Sequence, residues 1–367
     1  MQKEASKGVD RRFDGTRAID HKIFRLRNRV SKVLKYALPI AGDMTRVVLS
    51  EFPMIDPEIY RRRLAERVDG PVEVVVADMD STDEVIEAAT GAAALVTDIN
   101  TAVDANAIEA LDLQVIARSA VGVDNIDVAA AAANGVTVTR VPDYCTNEVA
   151  THSVALLLDC LRSVKPYDAD VADGGWSWEV GRPVRRLKGA TVGLLSFGPI
   201  ARLAADRLAG FGAELVAHDP YVEPEVMTDR DVEPVGVDEL FDRADHVAVY
   251  APLTESTRGM VDADALSKLS SDSVLVNVGR GPVVDADALL SALETDTIKA
   301  AGLDVLAEEP PEDDPLVGRP DTVITPHAAW YSEDAYEEVN TRAADDVAAV
   351  LNGEVPAGRV DPDAGWL

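Results

Sequence analysis

Several things are scarce in this 367-residue chain, and each scarcity excludes a class of protein. Cys145 and Cys160 are the only cysteines, too few for a disulfide scaffold or a cysteine-rich zinc site. Apolar runs such as Val154 to Leu158 stay far below the roughly 20 residues that span a bilayer. Basic residues are outnumbered, 35 against 65 acidic, for a formal net charge of −30. Duplex nucleic acid and anionic membrane are therefore poor partners for its surface. No His/Asp/Glu grouping has metal-ligand spacing, so no metal is expected. A soluble, cytoplasmic protein of a reducing compartment is expected.

The charge is unevenly spread. Residues 1–44 hold eleven basic and five acidic residues, so 45–367 keep 24 basic against 60 acidic, or −36. Only four of those 24 are lysines. An acidic, lysine-poor surface resembles proteins of salt-loving archaea, where molar salt screens self-repulsion. Residues 1–43 form a basic leader without a cleavage site or an apolar core. It reads as dispensable or as sequence upstream of the true start, with a docking helix second. The first strand begins just after Met44.

From residue 45, short Val-rich runs alternate with helix-compatible stretches. Val47–Ser50, Val72–Ala77, Ala93–Thr97, Gln114–Ala117 and Val136–Thr139 form one series. Thr191–Leu195, Glu214–His218, His246–Tyr250, Ser273–Val278, Ala300–Val305 and Thr322–Thr325 form a second. Buried strands alternating with helices predict parallel sheets covered on both faces. The fold class expected is α/β: two doubly wound, Rossmann-like or flavodoxin-like domains.

The second series opens on a strand, a tight turn and a helix: Val192–Leu195, then Ser196, Phe197, Gly198, Pro199, Ile200 and Ala201. Such a turn sets a dinucleotide's pyrophosphate on a helix N-terminus. Two glycines of the usual pattern are replaced. Ala201 is a small-residue variant, but Ser196 requires that the turn avoid positive φ or that strain be tolerated. Asp219, twenty-one residues after Gly198, ends the next strand. A carboxylate there accepts from ribose hydroxyls and repels a 2′-phosphate, so NAD is expected over NADP. Alone, Asp219-Pro220 would equally cap a turn.

Further motifs carry a resemblance. Val121-Gly122-Val123-Asp124-Asn125-Ile126-Asp127 and Leu187-Lys188-Gly189-Ala190-Thr191-Val192-Gly193 are followed by Pro252-Leu253-Thr254 with Thr257. Asn277-Val278-Gly279-Arg280-Gly281, Asp304-Val305 with Glu309-Pro310, and Thr325-Pro326-His327 come next. In this order, from about Val47 to Val360, they resemble the D-isomer-specific 2-hydroxyacid dehydrogenases. Within that family, His327 to Glu333 most resembles the branch containing the C-terminal-binding proteins.

The resemblance implies an NAD-dependent exchange of a hydride between a D-2-hydroxy acid and its 2-keto acid. That chemistry needs a cation for the carboxylate and carbonyl, an acid for the developing alkoxide, and a group that tunes the acid. Arg280 suits the first, being planar and permanently charged. Flanking Gly279 and Gly281 would let backbone approach ligand. His327 suits the second, and Glu309, rather than adjacent Glu308, would orient its ring and favour imidazolium. The family implies backbone N–H groups near Val121 and Gly122 on the substrate carboxylate, with Asp124 and Asp127 structuring that loop. Ser196, Phe197, Gly198, Pro199, Ile200, Asp219, Ala251, Pro252, Thr257, Val278, Gly279, Arg280, Asp304 and His327 would contact the cofactor. Trp330 reads equally as a pocket wall or as core. Cys145 lacks a neighbouring base and is not expected to be a nucleophile.

By motif order, residues 44–143 with 331–367 would form the substrate domain, and 144–330 an inserted cofactor domain. Helices Glu148–Leu161 and Glu333–Leu351 would flank a hinged cleft, and the resemblance implies a homodimer through the cofactor domain. Trp176 and Trp178 read as lid or dimer packing. The alternatives are a phosphoglycerate-type enzyme of serine synthesis, for which Arg118 and Arg140 are candidate extra cations, and an NAD(H)-sensing corepressor-like scaffold.

Overall fold

A computed structural model describes residues 44–364; the basic leader, and what its sequence suggests, lies outside them. Twelve strands form two wholly parallel sheets among the described residues. The first holds β1 (Thr45–Ser50), β2 (Val72–Ala77), β3 (Ala94–Thr97), β4 (Val115–Arg118) and β5 (Thr137–Thr139), in the order β2-β1-β3-β4-β5. The second holds β6 (Thr191–Leu195), β7 (Glu214–His218), β8 (Val232–Pro234), β9 (His246–Val249), β10 (Val274–Asn277), β11 (Ala300–Leu303) and β12 (Thr322–Ile324). Its order is β12-β11-β10-β9-β6-β7-β8. Val47, Val48 and Leu49 of β1 and Val274, Leu275 and Val276 of β10 are fully buried, as continuous apolar strands between two helical layers must be.

Two orders reverse direction, the first between β1 and β3 and the second between β6 and β9. In open parallel sheets, ligands bind outside the carboxyl ends of the strands at such reversals. The fold therefore fixes where a site belongs before any side chain is considered.

The last long helix, Glu333–Leu351, returns to the first sheet, packing on the Pro57–Arg67 helix, β4 and β5. Asp345 takes ion pairs from Arg63 (2.7 Å) and Arg67 (3.0 Å), and Asn340 Nδ2 donates to the Met54 carbonyl at 2.9 Å. Thr146–Arg162 instead packs on β10, β11 and β12 and on the Pro199–Gly210 helix. No helix among the described residues is long and apolar enough to cross a membrane.

One strand was invisible in the apolar pattern. β8 is a three-residue edge strand, Val232-Glu233-Pro234, in which only Val232 is buried. An edge strand of that length has no apolar run to read, and its terminal proline is tolerated because it need not donate inward.

Candidate active site

The turn after β6 builds the first half of the site. Ser196 takes φ of +77°, a left-handed conformation that is costly for a residue with a Cβ. Its hydroxyl offsets part of that cost by donating to Asp219 Oδ2 at 3.0 Å, where the Phe197 N–H also donates at 2.8 Å. Of the two outcomes open to a serine here, the chain uses the strained one. Asp219 Oδ1 accepts from the Tyr221 N–H at 2.9 Å, so this carboxylate shapes the turn itself.

Gly198 then caps the twelve-residue helix Pro199–Gly210 without a side-chain hydrogen bond. A Cβ at Gly198 would meet nothing within 4 Å, so open space faces the helix start. Pro199 occupies the first turn, where its missing N–H is no loss. Uncapped amides, a positive dipole end and free space in front suit a pyrophosphate. Ala201 is fully buried against the sheet, where a small side chain is required. These features fit a dinucleotide such as NAD.

The other predicted cofactor residues follow the strands of the same sheet. Ala251 and Pro252 come after β9, Val278 and Gly279 after β10, Asp304 after β11 and His327 after β12. Ala251 and Val278 are buried. Thr257 spends its hydroxyl within its own loop, donating to the Pro252 carbonyl at 2.6 Å. Asp304 is buried and its carboxylate faces the His327 loop, accepting from Thr325 Oγ1 (2.6 Å), Ala328 N (2.9 Å) and Ala329 N (3.0 Å).

Arg280 sits in a turn drawn tight by Asn277, whose Oδ1 accepts from Gly279 N and whose Nδ2 donates to Arg280 O, both at 3.0 Å. The glycines flanking Arg280 are required by the packing of the protein itself. A Cβ at Gly279 would lie 2.6 Å from the Ala251 carbonyl oxygen, and one at Gly281 would overlap the Leu306 carbonyl. Strand end packs on strand end; the close approach is protein to protein.

The Arg280 guanidinium reaches across to the first sheet. Its Nη2 lies 3.3 Å from Asp124 Oδ1, over Gly122, where a side chain would collide with it. Burial is the largest influence on the Asp124 carboxyl and pushes its pKa up, but the Arg280 charge and hydrogen bond, a backbone amide and the Arg118 charge together outweigh it and hold the group below its usual range. Asp127 accepts from Ala130 N at 2.9 Å and caps the Val128–Ala133 helix, a loop-structuring role. Asn125 ties the loop down, accepting from Arg118 Nε (3.0 Å) and donating to the carbonyls of Asp98 (2.9 Å) and Thr101 (2.6 Å). Asn125 and Asn277 both sit inside the motifs quoted above, yet neither had an assigned role; an amide that both donates and accepts within a turn was the available signal.

Arg118 is buried at the end of β4, and burial lowers its guanidinium pKa to about 10. Arg140 donates from Nη1 to the Val121 carbonyl at 3.2 Å.

His327 follows β12 with φ of +51°. Its Nδ1 lies 2.7 Å from Glu309 Oε2, while Glu309 Oε1 accepts from Leu306 N at 3.0 Å. Glu308 is exposed. Burial acts most strongly on Glu309 and raises its pKa, but the His327 hydrogen bond and charge, the Leu306 amide and the Arg280 charge together hold it below the usual range. An ionised carboxylate only accepts, so Nδ1 carries the proton and Nε2 is left to exchange one.

Trp330, half-buried, packs its ring 6.3 Å from Tyr144 and 5.4 Å from Tyr331. Cys145 and Cys160 are buried, which pushes both thiols up to about 12, outside the range of a nucleophile at neutral pH.

Residues 154–329 match the family model of the D-isomer specific 2-hydroxyacid dehydrogenase, NAD binding domain. The chain is 37% identical over 295 residues to a D-3-phosphoglycerate dehydrogenase of Mycobacterium tuberculosis, covering 80% of this chain and 56% of that protein. It thus spans little more than half the length of that relative. It is 34% identical over 287 residues to a glyoxylate reductase of Korarchaeum cryptofilum, covering 76% of this chain and 86% of that one. The crystal structure of the TT0316 protein from Thermus thermophilus aligns with a TM-score of 0.78 at 30% identity, over 86% of this chain and 100% of that chain.

Proposed function

The chain belongs to the D-isomer-specific 2-hydroxyacid dehydrogenase family, and from that premise we propose that it interconverts a small D-2-hydroxy acid and its 2-keto acid with NAD. The observation that carries this reading is the 2.7 Å His327–Glu309 pair, set on the same sheet edge as Arg280 and the uncapped helix at Gly198. NAD supplies the hydride chemistry when bound. Every other requirement falls to side chains and amides of this chain.

In this reading Ser196 to Ile200 hold the pyrophosphate and Asp219 faces the adenosine ribose, with Ala251, Pro252, Thr257, Val278, Gly279 and Asp304 completing the cofactor cleft. The backbone at Val121 and Gly122 grips the substrate carboxylate. Arg280 binds carboxylate and carbonyl together, exchanging its bond to Asp124 for one to substrate. As the carbonyl is reduced, His327 Nε2 gives its proton to the oxygen; in the reverse direction it takes the hydroxyl proton. Glu309 holds the ring in the tautomer that leaves Nε2 facing the reaction. Trp330 walls the pocket. Residues 44–143 with 331–367 act as the substrate unit and 144–330 as the cofactor unit. A homodimer forms through the cofactor unit, in which Trp176 and Trp178 are 90% and 68% exposed.

A phosphoglycerate-type substrate is the second reading, favoured by the 37% identity to an enzyme of that name. One experiment separates the readings: NADH oxidation in molar KCl with glyoxylate, hydroxypyruvate, its 3-phosphate, pyruvate, 2-ketobutyrate and phenylpyruvate. We expect turnover of at least one, reduced roughly 100-fold or more in His327→Ala. Preference for the 3-phosphate would select the second reading. NADH binding with no turnover would leave a nucleotide-sensing scaffold, and no NADH binding would overturn the cofactor assignment.

A further inference from the structure

The helix Thr146–Arg162 is mostly apolar on its buried side, with Val149, Val154, Leu157 and Leu161 in the core. Glu148 and His152 interrupt it one turn apart, at a spacing that puts both on one face. Both reach the segment that bears His327. Ser332 Oγ donates to Glu148 Oε1 at 3.0 Å, just beyond Trp330. His152 Nε2 lies 2.9 Å from Thr325 Oγ1, two residues before His327.

The hydrogen bonds around Thr325 have one consistent direction. Its single hydroxyl proton points at Asp304 Oδ1, 2.6 Å away, because a carboxylate oxygen accepts. Its oxygen must then accept from His152, so His152 Nε2 carries a proton. Asp304 spends the rest of its carboxylate on Ala328 N (2.9 Å) and Ala329 N (3.0 Å), and its carbonyl accepts from His327 N at 2.9 Å. Five groups thus close a ring around a residue held at φ of +51°, a conformation that persists only where its surroundings over-determine it.

We propose that His152 is a positioning residue for His327: by donating to Thr325 it holds the hydroxyl in place against Asp304, and so steadies the clamp that aims the His327 ring. This rests on His327 being the acid–base residue. His152 touches neither Glu309 nor Arg280 by any of the bonds above; its Nε2 also lies 3.7 Å from Asp304 Oδ1, so its influence travels through Thr325 and Asp304. Its place on a helix packed against β10, β11 and β12 ties the loop to the body of the second sheet.

The test compares His152→Leu, which cannot donate, with His152→Gln, which can, and with Thr325→Val, which removes the hydroxyl between them. For a 2-keto acid that the wild type reduces, His152→Leu and Thr325→Val should each lower kcat roughly 10- to 100-fold. KM and the Kd for NADH should stay within about twofold, because a ring misaimed after binding slows chemistry alone. His152→Gln should recover most of the rate. Equal kcat in His152→Leu and wild type, or equal losses in the Leu and Gln variants, would overturn the proposal. If His152→Leu does not fold, Thr325→Val carries the same prediction through the same bond. If the wild type reduces nothing, the acid–base assignment fails by itself, and NMR still decides the positioning. The His327 Nδ1–H resonance, identified by its loss in His327→Ala, should persist in wild type and His152→Gln and exchange away in His152→Leu. An unchanged resonance in His152→Leu would overturn it.

Discussion

At the scale of single residues, burial and partner decide what each ionisable group can do. His327 and His246 show the two extremes. His327 is part-exposed and bonded to a carboxylate, whereas His246, the first residue of β9, is 2% exposed and uses its Nδ1 to accept from Val274 N at 3.2 Å. Burial drives the His246 pKa down to about 4, against about 6.5 in an unfolded chain. The unfolded state therefore binds the extra proton first as pH falls. Stability from this group is complete above about pH 6.5, declines on acidification and levels off below about pH 4. Between pH 7.5 and 5 it should cost about 2 kcal/mol. Denaturant titrations at constant salt should show that loss in wild type and not in His246→Gln, which still offers Val274 an acceptor. A variant losing as much as wild type would assign the effect to the carboxylates. Such roles were only partly legible beforehand. Arg280, Glu309 and His327 stood out because their chemistry is specific and their order distinctive, but burial of His246 or the bond from His152 to Thr325 depends on contacts distant in sequence.

At the scale of elements, strand ends and turns carry the site, and here the sequence was most legible in outline and least in detail. Valine runs mark both sheets because strands buried on both faces must be apolar throughout. The departures have local causes: β8 is too short and too polar to register, and Gly279 and Gly281 are glycines because Ala251 and Leu306 backbone lies against them. Ser196 tests the account of the phosphate turn. Ser196→Ala keeps a Cβ at φ of +77° but loses the bond to Asp219, and should destabilise the protein by about 1 kcal/mol and weaken NADH binding. Ser196→Gly loses the same bond while relieving the strain, and should lie near wild type in denaturation midpoint and NADH Kd. Equal losses in the two variants would mean the hydroxyl, and not the backbone, governs the turn.

For the whole molecule, charge is the dominant feature. With −36 over residues 45–367, self-repulsion opposes the folded state at low ionic strength. Ion pairs such as Arg243 with Glu233 and Glu239 lie on the surface and are weakly stabilising. Salt should therefore help more by screening repulsion than it harms by screening attraction, since the Debye length falls from about 8 Å at physiological salt to about 3 Å at 1 M. Tm should rise steadily from 0.15 M to 3 M KCl. A flat or falling Tm would remove the salt-adapted reading that the composition suggested.

The reaction class itself is tested most directly by following the hydride. The purified protein is given NADH dideuterated at C4 and the 2-keto acid it reduces fastest, and the product is analysed by mass and on a chiral column. The account predicts a D-2-hydroxy acid carrying one deuterium at C2. A product of L configuration, or one with no deuterium at C2, would contradict it.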